Sequence, residues 1–297
     1  MAVLTVLLFT VAYGSGDTKE ISKQKRSADE KFDFTKYSED FARRVMFPIS
    51  AAAYSTKPFE CLNETKEGIR QFSYKWQNGQ WTSSGYVAQL HEYNAIALGF
   101  RGTNASDQLV QQATDSLKTR RWSKWDYGGQ VSFYFNKAFH ELWSHLEDHL
   151  YNYVNEHPDW DIWISGHSVG GALATLAASF LVQSGYIEDP KKVKLVTFGQ
   201  PVVGDKRFAE AFDKLGLYAY RIAHWLDLIP EILPTGYQHQ GKEIFDLSRM
   251  ENKTYVVCKS IEDRYHCKDL SYPASVLYHN HYFGKEINLY GIKGCKN

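Results

Sequence analysis

Two hydrophobic periods alternate along the chain. Short apolar runs bounded by polar or turn residues occur at Tyr86–Leu90, Ala95–Phe100, Asp161–Ile164, Val193–Phe198 and Tyr218–Ala223. Runs of this length with such boundaries predict buried strands. Between them lie stretches of helical pattern. Phe32–Tyr54 carries Phe41, Val45 and Ala51 to Ala53, and Phe133–His157 places Phe139, Leu142, Leu146, Leu150 and Val154 at helical spacing. Ala172–Leu176 is rich in alanine and leucine, and Arg207–Leu215 is a further short helix. Strands that alternate with helices call for right-handed crossovers and a mainly parallel central sheet with helices on both faces. The run Thr254–Cys258, expected to form a hairpin turning around Asp263, breaks the alternation.

The densest chemistry sits where the strand near Ile164 meets the alanine-rich helix. There the chain reads Gly166-His167-Ser168-Val169-Gly170. A serine on a tight strand-to-helix turn needs neighbours without bulk, because a side chain two places before or after it would strike the adjoining strand or helix. Glycine at both places leaves the Ser168 hydroxyl presented at the strand's end. The N–H groups at the helix start face the same point, a ready site for developing negative charge.

Composition narrows the setting. The 297 residues carry 34 basic and 34 acidic side chains, so charge favours neither nucleic acid nor an acidic partner. With 43% hydrophobic and 15% aromatic residues, residues 32–297 can fill one large core. The apolar run Ala2–Ala12, followed by Gly14, Ser15 and Gly16, has the length of a signal-peptide core and is too short for a bilayer. Residues 1–16 are therefore expected to be a signal peptide and 17–31 a polar linker or short pro-segment, with no transmembrane segment elsewhere. Four cysteines, Cys61, Cys258, Cys267 and Cys295, fit an oxidising compartment and allow three pairings. The proximity of Cys258 and Cys267 across the expected hairpin favours that pair and leaves Cys61 with Cys295. Without a C-x-x-C pair a zinc site is not expected. Sequons at Asn63, Asn104 and Asn252 agree with secretion.

Five segments in order, Phe100-Arg101-Gly102-Thr103, Gly166 to Ala174, Val196-Thr197-Phe198-Gly199-Gln200-Pro201, Asp227-Leu228-Ile229-Pro230 and Ser275 to Gly284, resemble those of the fungal-type, or class 3, lipases. The likeness runs from about Tyr54 to Cys295. It implies an α/β-hydrolase fold, a Ser–Asp–His triad, a mobile lid over the active site, hydrolysis of acyl glycerol esters without a cofactor, and the same two disulfides. Departures exist at Val131-Ser132-Phe133-Tyr134-Phe135, which lacks the usual His and Gly, and at Tyr278, where an Asp often stands.

The resemblance selects His279 over His281 as the base, and the order Ser168, Asp227, His279 matches that of the hydrolases. His167 is read as a packing residue, and the His145/His149 pair as a helix surface rather than a metal site. The expected oxyanion donors are the Val169 N–H and, by resemblance, Thr103. Residues 106–129, with Leu109, Val110, Leu117, Trp122 and Trp125 among Lys118, Arg120, Arg121 and Lys124, are expected to contain the lid, a short helix at Asp107–Leu117 that meets a lipid surface. The expected activity is a secreted triacylglycerol lipase acting on lipid esters at an interface. A phospholipase A1 or soluble-ester esterase is the alternative within the class, and an inactive lipid-binding relative the alternative outside it.

Overall fold

The computed structural model describes residues 32–76, 81–102, 121–246, 255–258 and 274–296. Eight strands form the central sheet: β1 (Ile69–Trp76), β2 (Trp81–Leu90), β3 (Ala95–Arg101), β4 (Asp161–His167), β5 (Val193–Phe198), β6 (Tyr218–His224), β7 (Lys242–Asp246) and β8 (Tyr255–Cys258). Their order in space follows their order in the chain. The middle five, β3 to β7, are parallel. The first two join antiparallel at one edge and β8 does so at the other. The mainly parallel sheet expected from the alternation is present. The run before Cys258 pairs back with β7 rather than only within a hairpin of its own; Asp263 and Cys267 lie outside the described residues.

A sheet that advances strand by strand in one direction sends every right-handed crossover over the same face. The crossover helices α2 (Phe133–Glu156), α3 (Val169–Gln183) and α4 (Lys206–Asp213) accordingly pack on one side. Phe135, Phe139, Leu142, Leu146 and Leu150 of α2 meet Ile96, Leu98, Phe100, Ile162 and Ile164 there, all buried. The alternate residues of the same strands, Ala95, Ala97, Trp163, Val196 and Phe198, point to the opposite face. Among the described residues no crossover covers that face, and the two ends of the domain do so instead. The N-terminal segment ending in α1 (Phe47–Ala52) supplies Phe41, Met46, Phe47 and Ile49, and α5 (Ile287–Ile292) supplies Ile287. Gly291 lies so close to Ala51 that a Cβ would strike its carbonyl. The Cys61–Cys295 disulfide, joining Cα atoms 4.8 Å apart, ties these ends together. Cys258 is also disulfide-bonded.

The helix expected over Phe32–Tyr54 is broken. It starts at Glu39, with Ser38 capping the Phe41 N–H, and opens into a π-helical turn over Ala42–Met46 before α1. Pro48 supplies the reason: it has no N–H and its ring crowds the carbonyl four residues back, a conflict that a widened preceding turn relieves.

The stretch read as a lid divides. Residues 103–120, with Asn104, Leu109, Val110, Leu117 and the expected helix, lie outside the described residues, as does Asn252. The remainder is not a cover. Trp122–Lys124 and Gln130–Ser132 form a ribbon that joins Gly204–Asp205 and Tyr237–Gln238 in a small second sheet. Trp122 stacks on Tyr237 with ring centroids 4.0 Å apart. Trp125 is buried in the core beside Phe139 and Phe208, and its indole N–H donates to Ser179 Oγ at 3.0 Å. A buried aromatic surface of this size outweighs any gain from lipid contact, so Trp125 is structural. Trp125→Ala should cost about 3–5 kcal/mol of stability, read from urea unfolding, and should lower activity on emulsified and dissolved esters in equal proportion.

Candidate active site

Ser168 stands between β4 and α3 with φ 59° and ψ −131°, a conformation non-glycine residues rarely adopt. It costs on the order of 1–3 kcal/mol, and three close approaches hold it. A Cβ on Gly166 would strike the Gly170 carbonyl, one on Gly170 would strike the Phe100 carbonyl, and one on Gly102 would stand 2.8 Å from Ser168 Cβ. The Ser168 N–H donates to the Phe198 carbonyl at 2.9 Å, anchoring the turn to β5. Val169 heads α3, so its N–H belongs to the first turn and has no acceptor within the helix. Thr103 lies just beyond Gly102, outside the described residues.

Two loops bring the acid and base candidates together. Asp227 follows β6, and His279 follows a short 3-10 turn at Val276–Tyr278 capped by the Ser275 hydroxyl. The Ser275 N–H donates to the Leu226 carbonyl at 2.9 Å and joins the loops. His279 Nδ1 lies 3.0 and 2.9 Å from the two Asp227 carboxylate oxygens. Because carboxylate oxygens only accept, Nδ1 carries the proton. Asp227 also accepts from the Ile229 N–H at 2.9 Å and from the Tyr282 hydroxyl at 2.8 Å. Burial alone would raise the Asp227 pKa. The charge and hydrogen bond of His279, with the other two donors, outweigh it and hold the carboxyl below its ordinary value of 3.8.

Gly199, at the end of β5, has φ 56°, and a Cβ there would come within 2.7–2.9 Å of Tyr282 Oη, Asp227 Oδ2 and His279 Cε1. Only glycine leaves room for the pair. His279 Nε2 is buried and has no hydrogen-bond partner. An unsatisfied buried nitrogen is costly in a purely structural histidine and ordinary in a general base awaiting a proton. Ser168, Asp227 and His279 are all almost fully buried.

The competing histidines separate clearly. His281 is exposed and faces Glu286 at 3.4 Å across a short hairpin. His145 and His149 both stack on Phe72. Among the described residues no group of three or more His, Cys, Asp or Glu side chains could hold a metal ion. Tyr278 stacks on His224 with a 5.7 Å centroid separation. His167, read above as packing, is hydrogen-bonded at both nitrogens: Nδ1 to the Tyr54 hydroxyl at 2.7 Å and Nε2 to the His279 carbonyl at 2.8 Å. Its neighbour in sequence hid this role, because adjacency to Ser168 argued only that the two side chains point apart. Tyr282, whose hydroxyl donates to Asp227, lies within the Ser275–Gly284 segment, and its position three residues after His279 is the signal that could have marked it.

The family profile described as Lipase (class 3) matches residues 97–237, which span β3, Ser168 and Asp227. Over this segment, just under half of its length, the chain is similar to the class 3 lipases. It is a carboxylic ester hydrolase with the α/β-hydrolase fold. The nematode Lipase ZK262.3 of Caenorhabditis elegans is 28% identical over 299 residues, covering 87% of this chain and 83% of that protein. A lipase of Rhizopus niveus is 28% identical over 204 residues, 68% of this chain and 51% of that protein, so the chain spans about half its length. Phospholipase A1-II 1 of Oryza sativa subsp. indica is 39% identical over 145 residues, 48% of this chain and 35% of that protein. Among solved structures, a triacylglycerol lipase with a serine-protease triad at its catalytic centre has TM-score 0.72 at 22% identity, over 86% of this chain and 98% of that one.

Burial, then the nearby His279, push the His167 pKa down from 6.5 to about 3. In the unfolded chain His167 takes up a proton below 6.5 that the folded protein refuses, so acid favours unfolding across that window. Its contribution to the slope of stability against pH is at most ~1.4 kcal/mol per pH unit between about 3 and 6.5. Urea unfolding at a series of pH values should show His167→Gln losing stability less steeply than the natural protein as pH falls.

Proposed function

We propose that this ester hydrolase cleaves acyl esters of lipids with Ser168 as nucleophile, His279 as general base and Asp227 as the residue orienting it. The observation that carries the reading is the Asp227–His279 pair at 2.9 Å with an unpartnered, buried Nε2, beside a serine on a strained turn. Attack of Ser168 Oγ on the ester carbonyl transfers its proton to His279 Nε2 and gives a tetrahedral oxyanion. The carboxylate of Asp227, kept charged by its three donors, balances the imidazolium. His279 then returns the proton to the departing alcohol, and water repeats the sequence on the acyl-enzyme. The Val169 N–H is one oxyanion donor in this scheme and Thr103 the other. Losing one such donor costs about 3 kcal/mol in the barrier.

Triacylglycerol is the substrate class proposed first, with support from the relatives named as lipases. The segment shared with a rice phospholipase A1 supports the second reading, attack on a phospholipid acyl ester. The same reading takes the protein to be secreted, with residues 1–16 removed, and the Cys61–Cys295 disulfide supports an oxidising compartment. Asn63, exposed at the end of a short helix, is accessible to a glycan.

Ser168→Ala and His279→Ala should each lower ester hydrolysis about ten-thousand-fold or more and leave the thermal melt close to that of the natural protein. His281→Ala should keep most of the rate. A fluorophosphonate probe should label the natural protein and fail on Ser168→Ala; absence of labelling in both would point to an inactive lipid-binding relative. Rates on a triglyceride emulsion, phospholipid vesicles and a short soluble ester decide among substrates, with the emulsion expected to be turned over fastest. Faster cleavage of the vesicles would replace the first reading with phospholipase A1.

A further inference from the structure

The imidazole of His279 has one anchored side. Nδ1 is held by Asp227, but Nε2 has no partner, so the ring's place relative to Ser168 depends on the main chain that carries it. That main chain is gripped by His167. The His279 carbonyl can only accept a hydrogen bond, so the 2.8 Å contact requires a proton on His167 Nε2. A neutral ring then has a lone pair on Nδ1, and the Tyr54 hydroxyl, 2.7 Å away, must donate to it. The oxygen of Tyr54 also lies against Gly102, where an added Cβ would come within 2.7 Å of it. Gly102 is packed against Ser168 and precedes Thr103, the residue proposed to complete the oxyanion hole.

Three groups form one directed chain: Tyr54 O–H to His167 Nδ1, His167 Nε2–H to the His279 carbonyl. With His167 neutral neither link can be reversed, because the chain ends at an obligate acceptor. Tyr54 and His167 are buried, so no water competes for these bonds. The chain passes beneath the nucleophile, since His167 is the residue before Ser168. The His167 and His279 rings lie 4.6 Å apart. A charged His167 would repel the imidazolium that forms on His279 during acyl transfer, and the neutral tautomer required by the chain avoids this.

We propose that Tyr54 and His167 are positioning residues that hold the His279 main chain in fixed relation to Ser168. The inference rests on the reading of Ser168 and His279 as nucleophile and base.

The test uses the full chain with a soluble ester. In His167→Gln the terminal amide N–H can reach the place of Nε2 and donate to the His279 carbonyl, whereas His167→Asn ends near the place of Nδ1 and keeps only the Tyr54 contact. His167→Asn should lower kcat about 10- to 100-fold with KM almost unchanged, and His167→Gln should recover most of that loss. Tyr54→Phe, which removes the donor to His167 Nδ1, should lower kcat with KM again almost unchanged. Thermal melts of the three variants supply the control: a loss that tracks melting temperature, or equal kcat for the Gln and Asn variants, would overturn the proposal. Natural kcat in His167→Asn would overturn it too. If Ser168→Ala and His279→Ala are inactive while His167→Asn turns over normally, positioning by His167 fails and the triad stands. If His279→Ala retains activity, the triad reading itself fails.

Discussion

The site depends on how closely three pieces of backbone can approach one another. The turn at Ser168 requires β3, β4 and the first turn of α3 to meet at distances that exclude side chains, which Gly102, Gly166 and Gly170 permit. The strained dihedrals of Ser168 persist because the surroundings are rigid on every side. β4 lies in the interior of the sheet between β3 and β5, and every residue of α3 from Val169 to Ser179 is buried. A helix with no exposed face along that length cannot rotate or slide to relax the turn. Burial by packing thus offsets a backbone cost of about 1–3 kcal/mol, and the serine is delivered to one place before any substrate arrives.

A second constraint is topological. Five parallel strands laid down in chain order place three crossover helices on one face and leave the other to segments that come before β1 and after β8. The proposed base belongs to the later of these. His279 and Tyr282 sit in the stretch leading to α5, whose Gly291 lies against α1. The fit of the second face and the placement of the base are therefore parts of one packing arrangement. A polar network at the other end of the site does similar work. Gln200 accepts from Thr175 of α3 at 3.0 Å and from Thr197 of β5 at 2.7 Å, stitching the nucleophile's helix to the strand beneath it.

Much of this was legible in the sequence where one force dominates. The apolar runs of β3 to β6 and the 3.6-residue pattern of α2 are set by burial alone, and the Gly-x-Ser-x-Gly turn by sterics. Where forces compete, the pattern was silent. β1 reads Ile-Arg-Gln-Phe-Ser-Tyr-Lys-Trp, an edge strand whose aromatic residues Phe72, Tyr74 and Trp76 alternate with polar ones and so form no continuous apolar run. β7 carries Glu243, whose charge argued against burial until Arg221, 3.0 Å away, is seen to pair with it. Trp125 looked like part of a lipid-facing cover because tryptophan beside lysine and arginine fits an interface as well as a core. Only the contact with Ser179, remote in sequence, decides between them. His167 was misjudged for the same reason: its partners, Tyr54 and the His279 carbonyl, stand 113 and 112 residues away.

The disulfide that closes the domain joins residues 234 apart, and this separation orders events during synthesis. Strands β1 to β7 pair with neighbours close in the chain, so the sheet and its three helices can assemble as they leave the ribosome. The second face cannot. Phe41, Met46, Phe47 and Ile49 are made first, yet α5 and Cys295, which complete that face, are made last. Until then a nascent sheet holds an incompletely covered apolar side, and Ser168 stands without its proposed base. On the proposed mechanism the polypeptide gains its activity only when the stretch from His279 to Cys295 has emerged.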